Sequence, residues 1–168
     1  DRPLAWLQLD DADNDSATLV AALAEAARRT FPALEHAFEG LADGDGGGGP
    51  ERRFAILVNA FLDAPVGDWT LVLDDVHLLT NPEALRVVER LVDVPPPGMH
   101  LLMASRATPM LPVPRWMARG TVRRVDVNEL RFTADEAAAW LRRDLPGLSD
   151  AVVARLVERT EGWGAGLQ

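Results

Sequence analysis

Residues Thr70–Asp75 read Thr-Leu-Val-Leu-Asp-Asp, a short apolar run that ends abruptly in two acids. Such a run predicts a strand buried on both faces of a parallel sheet. The carboxyl ends of parallel strands border the crevice in which open α/β sheets bind their ligands. Asp74 and Asp75 are therefore candidate site residues. Acidic turns after strands are common, so a purely structural role for the pair stays open.

Upstream of this run, the sequence predicts one strand and two helices. Residues Leu4–Leu9 read as a short buried strand, and apolar side chains at helical spacing predict helices over Ser16–Thr30 and Glu51–Leu62. The stretch Gly40–Pro50 contains four consecutive glycines and has the composition of a flexible surface loop. It follows no buried strand and precedes no Lys-Ser/Thr pair, so we reject it as a phosphate-binding loop.

Downstream of the acids, strands and helices continue to alternate. Asn81 is a good N-cap for a helix that ends before the Pro-rich segment at 95–97. Met99–Ala104 reads as another buried strand, and the alternation over Thr121–Val127 predicts a further strand. Thr133 then opens a helix with a capping box, and Ser149 caps another.

This order predicts an α/β fold, in which a parallel sheet flanked by helices is followed by a small helical domain that begins near residue 130. The 168 residues suffice for a core that buries ~70% of the surface of the unfolded chain. Apolar residues make up 48% and charged residues 26%, a globular balance that argues against disorder.

Charge and residue usage exclude several classes of function. The net charge is −9, with −11 in residues 1–84 and +2 in residues 85–168, which argues against a continuous nucleic-acid face. The chain has no cysteine, which excludes thiolate catalysis and Cys-based zinc sites, and its three scattered histidines lack metal-ligand spacing. All 17 basic residues are arginine, so the chain contains no phosphate-loop lysine. No apolar run approaches the ~20 residues that cross a bilayer, and the opening residues Asp-Arg-Pro do not read as a signal peptide, so we expect a soluble, cytoplasmic protein without membrane contact.

Arg106 follows the strand after the acid pair and would lie beside the acids if the two strands are neighbours. An arginine there can stabilise a γ-phosphate, or it can form a salt bridge with Asp74 or Asp75. His77 is interpreted as a packed or capping histidine, and Trp163 as a core aromatic of the helical domain.

Taken together, these motifs resemble the nucleotide-binding region of MalT-like, LuxR-type transcriptional activators nearly end to end. The residues that carry the resemblance are Trp6–Asp10, Asp13–Asp15, Leu71–His77, Leu101–Arg106, Leu130–Thr133 with Glu136 and Ala137, and Thr160–Trp163 with Ala165–Gln168.

The resemblance implies a signal-transducing P-loop ATPase in which ADP favours a resting monomer, and ATP with an inducer favours self-association. It also implies that residues 1–129 form an incomplete P-loop NTPase-type parallel sheet flanked by helices, without the phosphate-loop strand, and that residues 130–168 are the start of the helical domain. By matching motif, Asp74 is the acid of the magnesium site, Asp75 the water-polarising acid, and Arg106 the sensor arginine that contacts the nucleotide. ATP or ADP and Mg²⁺ are thus cofactors of the longer protein, and we expect none to be tightly bound by this chain.

In the family, a phosphate loop precedes the first strand and a DNA-binding domain follows the helical repeats. We therefore expect this chain to be an excised or truncated core, with DNA contacted only through a domain outside it. Two alternatives are open: a fragment of a catalytic P-loop phosphotransferase, and a nucleotide-free interaction module.

The resemblance also implies that the phosphate-loop strand lies between the strand near Leu101–Ala104 and the strand near Val122–Val127. We expect these two strands either to pair directly or to be completed by a neighbouring molecule. The second outcome would make the chain a dimer or an aggregation-prone monomer through unpaired sheet edges.

Overall fold

The computed structural model describes residues 2–38, 50–62 and 66–167. It contains a three-stranded parallel sheet flanked by helices, consistent with the predicted α/β class. The chain divides into two compact units, residues 1–115 and 116–168. This division falls earlier than the boundary expected between residues 129 and 130. Apart from Pro50, the predicted loop Gly40–Pro50 lies outside the described residues.

The first unit contains the sheet and its helices. Its elements are β1 (Leu4–Gln8), α1 (Ser16–Thr30), α2 (Pro50–Leu62), β2 (Trp69–Asp74), α3 (Pro82–Asp93) and β3 (Met99–Met103), with 3-10 helices at Asp11–Asn14, Pro32–Phe38 and Val76–Leu78. Helix α4 (Val113–Ala118) spans the division, and α5 (Val127–Leu130), α6 (Ala134–Asp144), α7 (Asp150–Thr160) and α8 (Gly164–Leu167) follow.

Side-chain caps fix the helix starts that the sequence predicted. The Asp15 carboxylate accepts a hydrogen bond of 2.8 Å from the backbone N–H of Thr18 at the start of α1. Asn81 accepts one of 2.9 Å from the N–H of Glu83 at the start of α3. These bonds satisfy N–H groups that have no partner within the helix.

The strands follow one another across the sheet in chain order, β1-β2-β3, and all pair in parallel. The β1–β2 and β2–β3 connections therefore both cross the sheet from the β1 edge toward the β3 edge. Because such crossovers are right-handed, the helices of both connections lie on the same face of the sheet. Accordingly, α1 packs against β1 and against both α2 and α3. Leu71 and Leu73 of β2 are buried on this covered face.

Aromatic side chains form the centre of the core. The rings of Phe61 and Trp69 stack with centroids 4.6 Å apart, and Phe31 meets both rings edge-on. Trp69 also donates from its indole N–H to the carbonyl of Pro97 at 3.2 Å, so its polar atom is satisfied.

The opposite face of the sheet, here called the open face, is exposed at its two edge strands within the part of the chain that the structure describes. Trp6, Val72 and Leu102 form one cross-strand row on it; Trp6 and Leu102 are 56% and 52% exposed, and Val72 between them is 3% exposed. Parallel sheets are normally covered on both faces. This open face is therefore an unusual apolar surface for a parallel sheet.

The two edges of the sheet differ. At the β1 edge, the hydroxyl of Thr30 donates to the carbonyl of Leu4 at 3.2 Å. The edge strand β3 reads Met-His-Leu-Leu-Met, without the proline or lysine that often protects an exposed edge. Among the described residues, β3 pairs only with β2.

Two strand predictions need correction. The strand over Met99–Ala104 forms, but its side chains are only half-buried or exposed because β3 is an edge strand rather than a buried one. The predicted strand over Thr121–Val127 does not form, and it does not pair with β3. The end of this segment begins helix α5 instead. Asp126 is the N-cap of that helix, and its carboxylate accepts a hydrogen bond from the N–H of Asn128.

The second unit is built around the predicted capping box. Thr133 and Glu136 exchange the two hydrogen bonds of that motif at the start of α6. Ala137, Leu141 and Val153 form a small buried cluster between α6 and α7. No helix in the described parts of the chain has the length and apolarity needed to cross a membrane.

Candidate functional site

The two acids singled out from the sequence lie at the carboxyl edge of the sheet. Asp74 is the last residue of β2 and lies opposite Gln8, the last residue of β1. The backbone carbonyl of Asp74 accepts from the N–H of Leu9 at 3.1 Å. Its carboxylate turns back and accepts from the N–H of Asp75 at 2.9 Å, so one oxygen of Asp74 is already engaged.

Asp75 has a left-handed backbone conformation, with φ 58° and ψ 38°. Asp tolerates this region better than most residues because its side chain is short and polar. The turn directs the N–H of the buried Val76 to the carbonyl of Ala104, just beyond β3, at 3.0 Å. The backbone at Asp75 is thereby fixed to the end of the neighbouring strand.

Three side chains from separate segments converge on the Asp75 carboxylate. Gln8 donates from Nε2 to Oδ2 at 2.5 Å. On the other oxygen, Oδ1, Arg106 approaches with Nε at 3.5 Å and His77 with Nδ1 at 3.7 Å. The Asp75 side chain is 20% exposed, whereas the Arg106 side chain is 82% exposed. The structure thus brings Arg106 to Asp75, an arrangement that suits both a salt bridge and a sensor arginine.

Asp74 and Asp75 suit a metal ion that is shared with a bound phosphate group better than one that is held by protein side chains alone. Within residues 2–38, 50–62 and 66–167, no three His, Asp or Glu side chains are grouped so that they could hold a metal ion. Mg²⁺ commonly takes one or two carboxylates and completes its shell with water and phosphate oxygens. Asp74 and Asp75 therefore fit a Mg²⁺ that a bound phosphate group helps to hold, and do not form a metal cage by themselves.

A buried acid lies in the turn after β1. Burial raises the pKa of the Asp13 carboxyl above its ordinary value, and repulsion from Asp10 acts in the same direction. The hydrogen bond that Asp13 accepts from the backbone N–H of Asp10 at 2.9 Å opposes this shift.

Sequence reasoning gave no site role to Gln8 or Asn14. Gln8 is the polar last residue of an apolar strand, a position that borders the ligand crevice and could have marked it. Asn14 bonds the segment at Leu78–Asn81, immediately after the acid turn. His77 is half-buried, which fits the packed alternative of its prediction, and its Nδ1 has no hydrogen-bond partner among the described residues. Trp163, predicted as a core aromatic, is instead 46% exposed.

Comparison with curated proteins finds remote relatives over nearly the whole chain. The serine/threonine-protein kinase PknK of Mycobacterium tuberculosis is 28% identical over 167 residues, which cover 98% of this chain and 15% of the kinase. The HTH-type transcriptional regulator MalT of Klebsiella pneumoniae is 27% identical over 176 aligned positions, which cover 98% of this chain and 18% of the regulator. No protein-family profile matches the chain. The chain spans less than a fifth of the length of these relatives and is distantly related to both.

Proposed function

We propose that this chain forms part of the ATP-binding regulatory switch domain of a LuxR-type transcriptional activator. The observation that carries the proposal is that Asp74 and Asp75 lie at the carboxyl edge of a parallel sheet and that Arg106 pairs with Asp75 there. The distant relation to MalT, whose name describes a transcriptional regulator, supports the regulatory part.

The open edge and the open face of the sheet support the same proposal. A parallel strand added beside β3 would have its carboxyl end next to Arg106. A crossover from that strand to β1 would run across the sheet in the direction opposite to the existing crossovers. Because crossovers are right-handed, its helix would cover the face that exposes Trp6 and Leu102. One strand-loop-helix unit preceding β1 would therefore pair with the edge of β3 and also cover the open face.

The loop of such a unit would lie beside the acid pair. A loop between a parallel strand and the N-terminus of a helix is a favourable phosphate site, because backbone N–H groups and the helix dipole face the anion. The chain contains no lysine, so the lysine of a phosphate loop would also come from this unit. The present residues would supply the acidic side of the site.

Each site residue then has a distinct role. A bound Mg²⁺-nucleotide supplies the phosphoryl group and the charge on which the site acts. Asp74 would hold the metal ion through water, and Asp75 would polarise an attacking water. Arg106, whose guanidinium is exposed, would contact the γ-phosphate and stabilise its charge. DNA binding and nucleotide-dependent self-association would involve parts of the longer protein.

The test compares two lengths of the protein by calorimetry with Mg²⁺-ATP. The natural polypeptide extended upstream by about 100 residues, roughly one additional domain's worth of chain, should bind ATP. Residues 1–168 alone should bind ATP or ADP very weakly, because the backbone amides and the lysine of a phosphate loop are missing.

A matched pair of variants sharpens the test in the extended polypeptide. Asp74→Asn should weaken the magnesium dependence of binding. Asp68→Asn removes an exposed acid at the opposite end of β2 and should leave binding unchanged. Absence of nucleotide binding in the extended polypeptide would favour the interaction module, and micromolar binding by residues 1–168 would require a different phosphate site.

A further inference from the structure

The two oxygens of the Asp75 carboxylate are engaged differently. Oδ2 accepts the hydrogen bond of 2.5 Å from Gln8, whereas Oδ1 faces Arg106 Nε at 3.5 Å. N–H···O hydrogen bonds to carboxylates usually measure about 2.7–3.2 Å. The contact with Arg106 is therefore an ion pair without a hydrogen bond.

Arginine and a carboxylate ordinarily reach a closer arrangement. The guanidinium presents its N–H groups as a planar fork, and two parallel hydrogen bonds form when both carboxylate oxygens face it. Here Gln8 approaches from the end of β1 and already occupies one of the two oxygens. A free rotation of the Asp75 carboxylate would otherwise allow both oxygens to turn toward the exposed guanidinium.

The backbone of Asp75 is not free to turn the carboxylate toward Arg106. The N–H of Val76 is bonded to Ala104, and the N–H of Asp75 is bonded to the Asp74 side chain. The left-handed conformation of Asp75 is thus fixed on both sides, and the side-chain torsions are its main remaining freedom. The orientation of the carboxylate consequently depends on the side chains around it.

We propose that Gln8 is a positioning residue that prevents Asp75 and Arg106 from closing into a bidentate ion pair. Gln8 keeps the Asp75 carboxylate in one orientation and leaves Arg106 available for a second anion. The identity of that anion, a nucleotide phosphate, rests on the proposed function. The competition between Gln8 and Arg106 for Asp75 does not, and it exists in the chain without any ligand.

The experiment uses residues 1–168 labelled with ¹⁵N and measures solvent exchange of the Arg106 Nε–H by NMR, without nucleotide. Gln8→Met keeps the length of the side chain but removes the donor. Exchange of the Arg106 Nε–H should then slow several-fold, because the guanidinium gains hydrogen bonds to both Asp75 oxygens. Gln8→Lys retains a donor toward Asp75 and should leave the exchange fast. The Arg2 Nε–H, at the far end of the sheet beside Asp68, is the internal control.

A second measurement does not depend on the folding of a Gln8 variant. With Gln8 present, Asp75→Asn should change the exchange rate of the Arg106 Nε–H less than about twofold, because an exposed, loose ion pair protects little. A large acceleration would show that the pair is already tight and would overturn the proposal. Unchanged exchange in a folded Gln8→Met variant would overturn it as well. Failure of ATP binding in the extended polypeptide would refute the proposed function and leave these results intact.

Discussion

The side-chain oxygen of Asn14 accepts a hydrogen bond of 2.8 Å from the backbone N–H of Thr80, 66 residues further along the chain. The same oxygen accepts from the N–H of Asn81 at 2.9 Å, and Asn14 Nδ2 donates to the carbonyl of Leu78 at 2.9 Å. One side chain therefore joins the turn after β1 to the segment between Asp75 and α3. This joint holds together the two segments that border the acid pair.

Loss of the three Asn14 hydrogen bonds should destabilise the fold. Asn14→Ala leaves two N–H groups and one carbonyl without their partner, and we expect it to lower the free energy of unfolding by about 2 kcal/mol. Asn14→Asp keeps the acceptor and should cost about half as much. Urea denaturation of residues 1–168 at constant m-value measures both. Equal losses for the two variants would show that the accepted hydrogen bonds contribute little.

Two glycines with the same backbone angle should respond differently to a methyl group. Gly98 and Gly120 both have φ +69°. A Cβ at Gly98 would lie 2.1 Å from the carbonyl oxygen of Gly67, whereas a Cβ at Gly120 would meet nothing within 4 Å. We expect Gly98→Ala to cost about 3 kcal/mol or more and Gly120→Ala about 1 kcal/mol, the latter from the left-handed conformation alone. Thermal unfolding of the two variants separates backbone strain from steric overlap, and similar losses would contradict this assignment.

The buried Asp13 should make stability depend on pH in an identifiable direction. Its pKa in the folded chain lies above the ordinary value of 3.8, so the folded state holds its proton more tightly than the unfolded state. The resulting stabilisation is complete below pH 3.8 and is lost as the pH rises through the raised pKa. At pH 7 the ionised, buried carboxylate is therefore a cost.

Asp13→Asn keeps an oxygen that can accept from Asp10 and removes this charge. We expect it to raise the free energy of unfolding at pH 7, with the gain disappearing below the ordinary pKa of aspartate. Asp11→Asn, at an exposed neighbouring position, is the matched loss of one charge. Chemical denaturation at pH 7 and pH 3.5 tests the prediction, which a destabilised Asp13→Asn variant at pH 7 would refute.

The unprotected edge of β3 should cause residues 1–168 to associate. Light scattering should show a mass that increases with concentration, since unpaired strand edges accept further strands. Leu102→Lys places a charge on the edge strand and should raise the concentration needed for association by about tenfold or more. Leu4→Lys changes an equally exposed residue of the same face on β1 and should have a smaller effect. A monomer at all concentrations would contradict the prediction, and equal effects of both variants would assign association to the open face instead.

The acid pair and Arg106 should matter for nucleotide hydrolysis more than for folding. In the extended polypeptide, Asp74→Ala, Asp75→Asn and Arg106→Ala should each lower the hydrolysis rate by about 100-fold or more. Asparagine also adopts the left-handed conformation readily, so Asp75→Asn should preserve the turn. Melting temperatures and turnover, measured together, decide the matter. Large losses in melting temperature with intact turnover would favour a purely structural salt bridge between Arg106 and Asp75.

Local signals in the sequence predicted much of the first unit. The bounds of α1 follow from the Asp15 cap and from apolar spacing, both of which act within a few residues. The prediction of a strand over Thr121–Val127 was wrong. Among the described residues no neighbouring strand pairs with this segment, and the Asp126 carboxylate caps a helix at its end. The half-exposed character of β3 was missed because apolar composition does not reveal which strand has a neighbour on only one side.

The sequence predicted the acidic and basic residues of the candidate site but not the contact between Gln8 and Asp75. Asp74, Asp75 and Arg106 follow apolar runs, and their position at strand ends could be inferred. The contact of Gln8 with Asp75 joins residues 67 positions apart and depends on strand register, which the pattern of neither strand specifies.

The order of the strands also bears on how the first unit forms. Pairing β2 with β3 closes a segment of about 30 residues, Trp69 to Met99, whereas pairing β1 with β2 closes about 66 residues, Leu4 to Thr70. Loop-closure entropy favours the shorter segment by roughly 0.6 kcal/mol for each doubling in length. We therefore expect the β2-α3-β3 segment to form first and to present β2 as the template on which β1 docks. The Gln8 contact with Asp75 would be among the last to form, so the acid pair would reach its final geometry only when the sheet is complete.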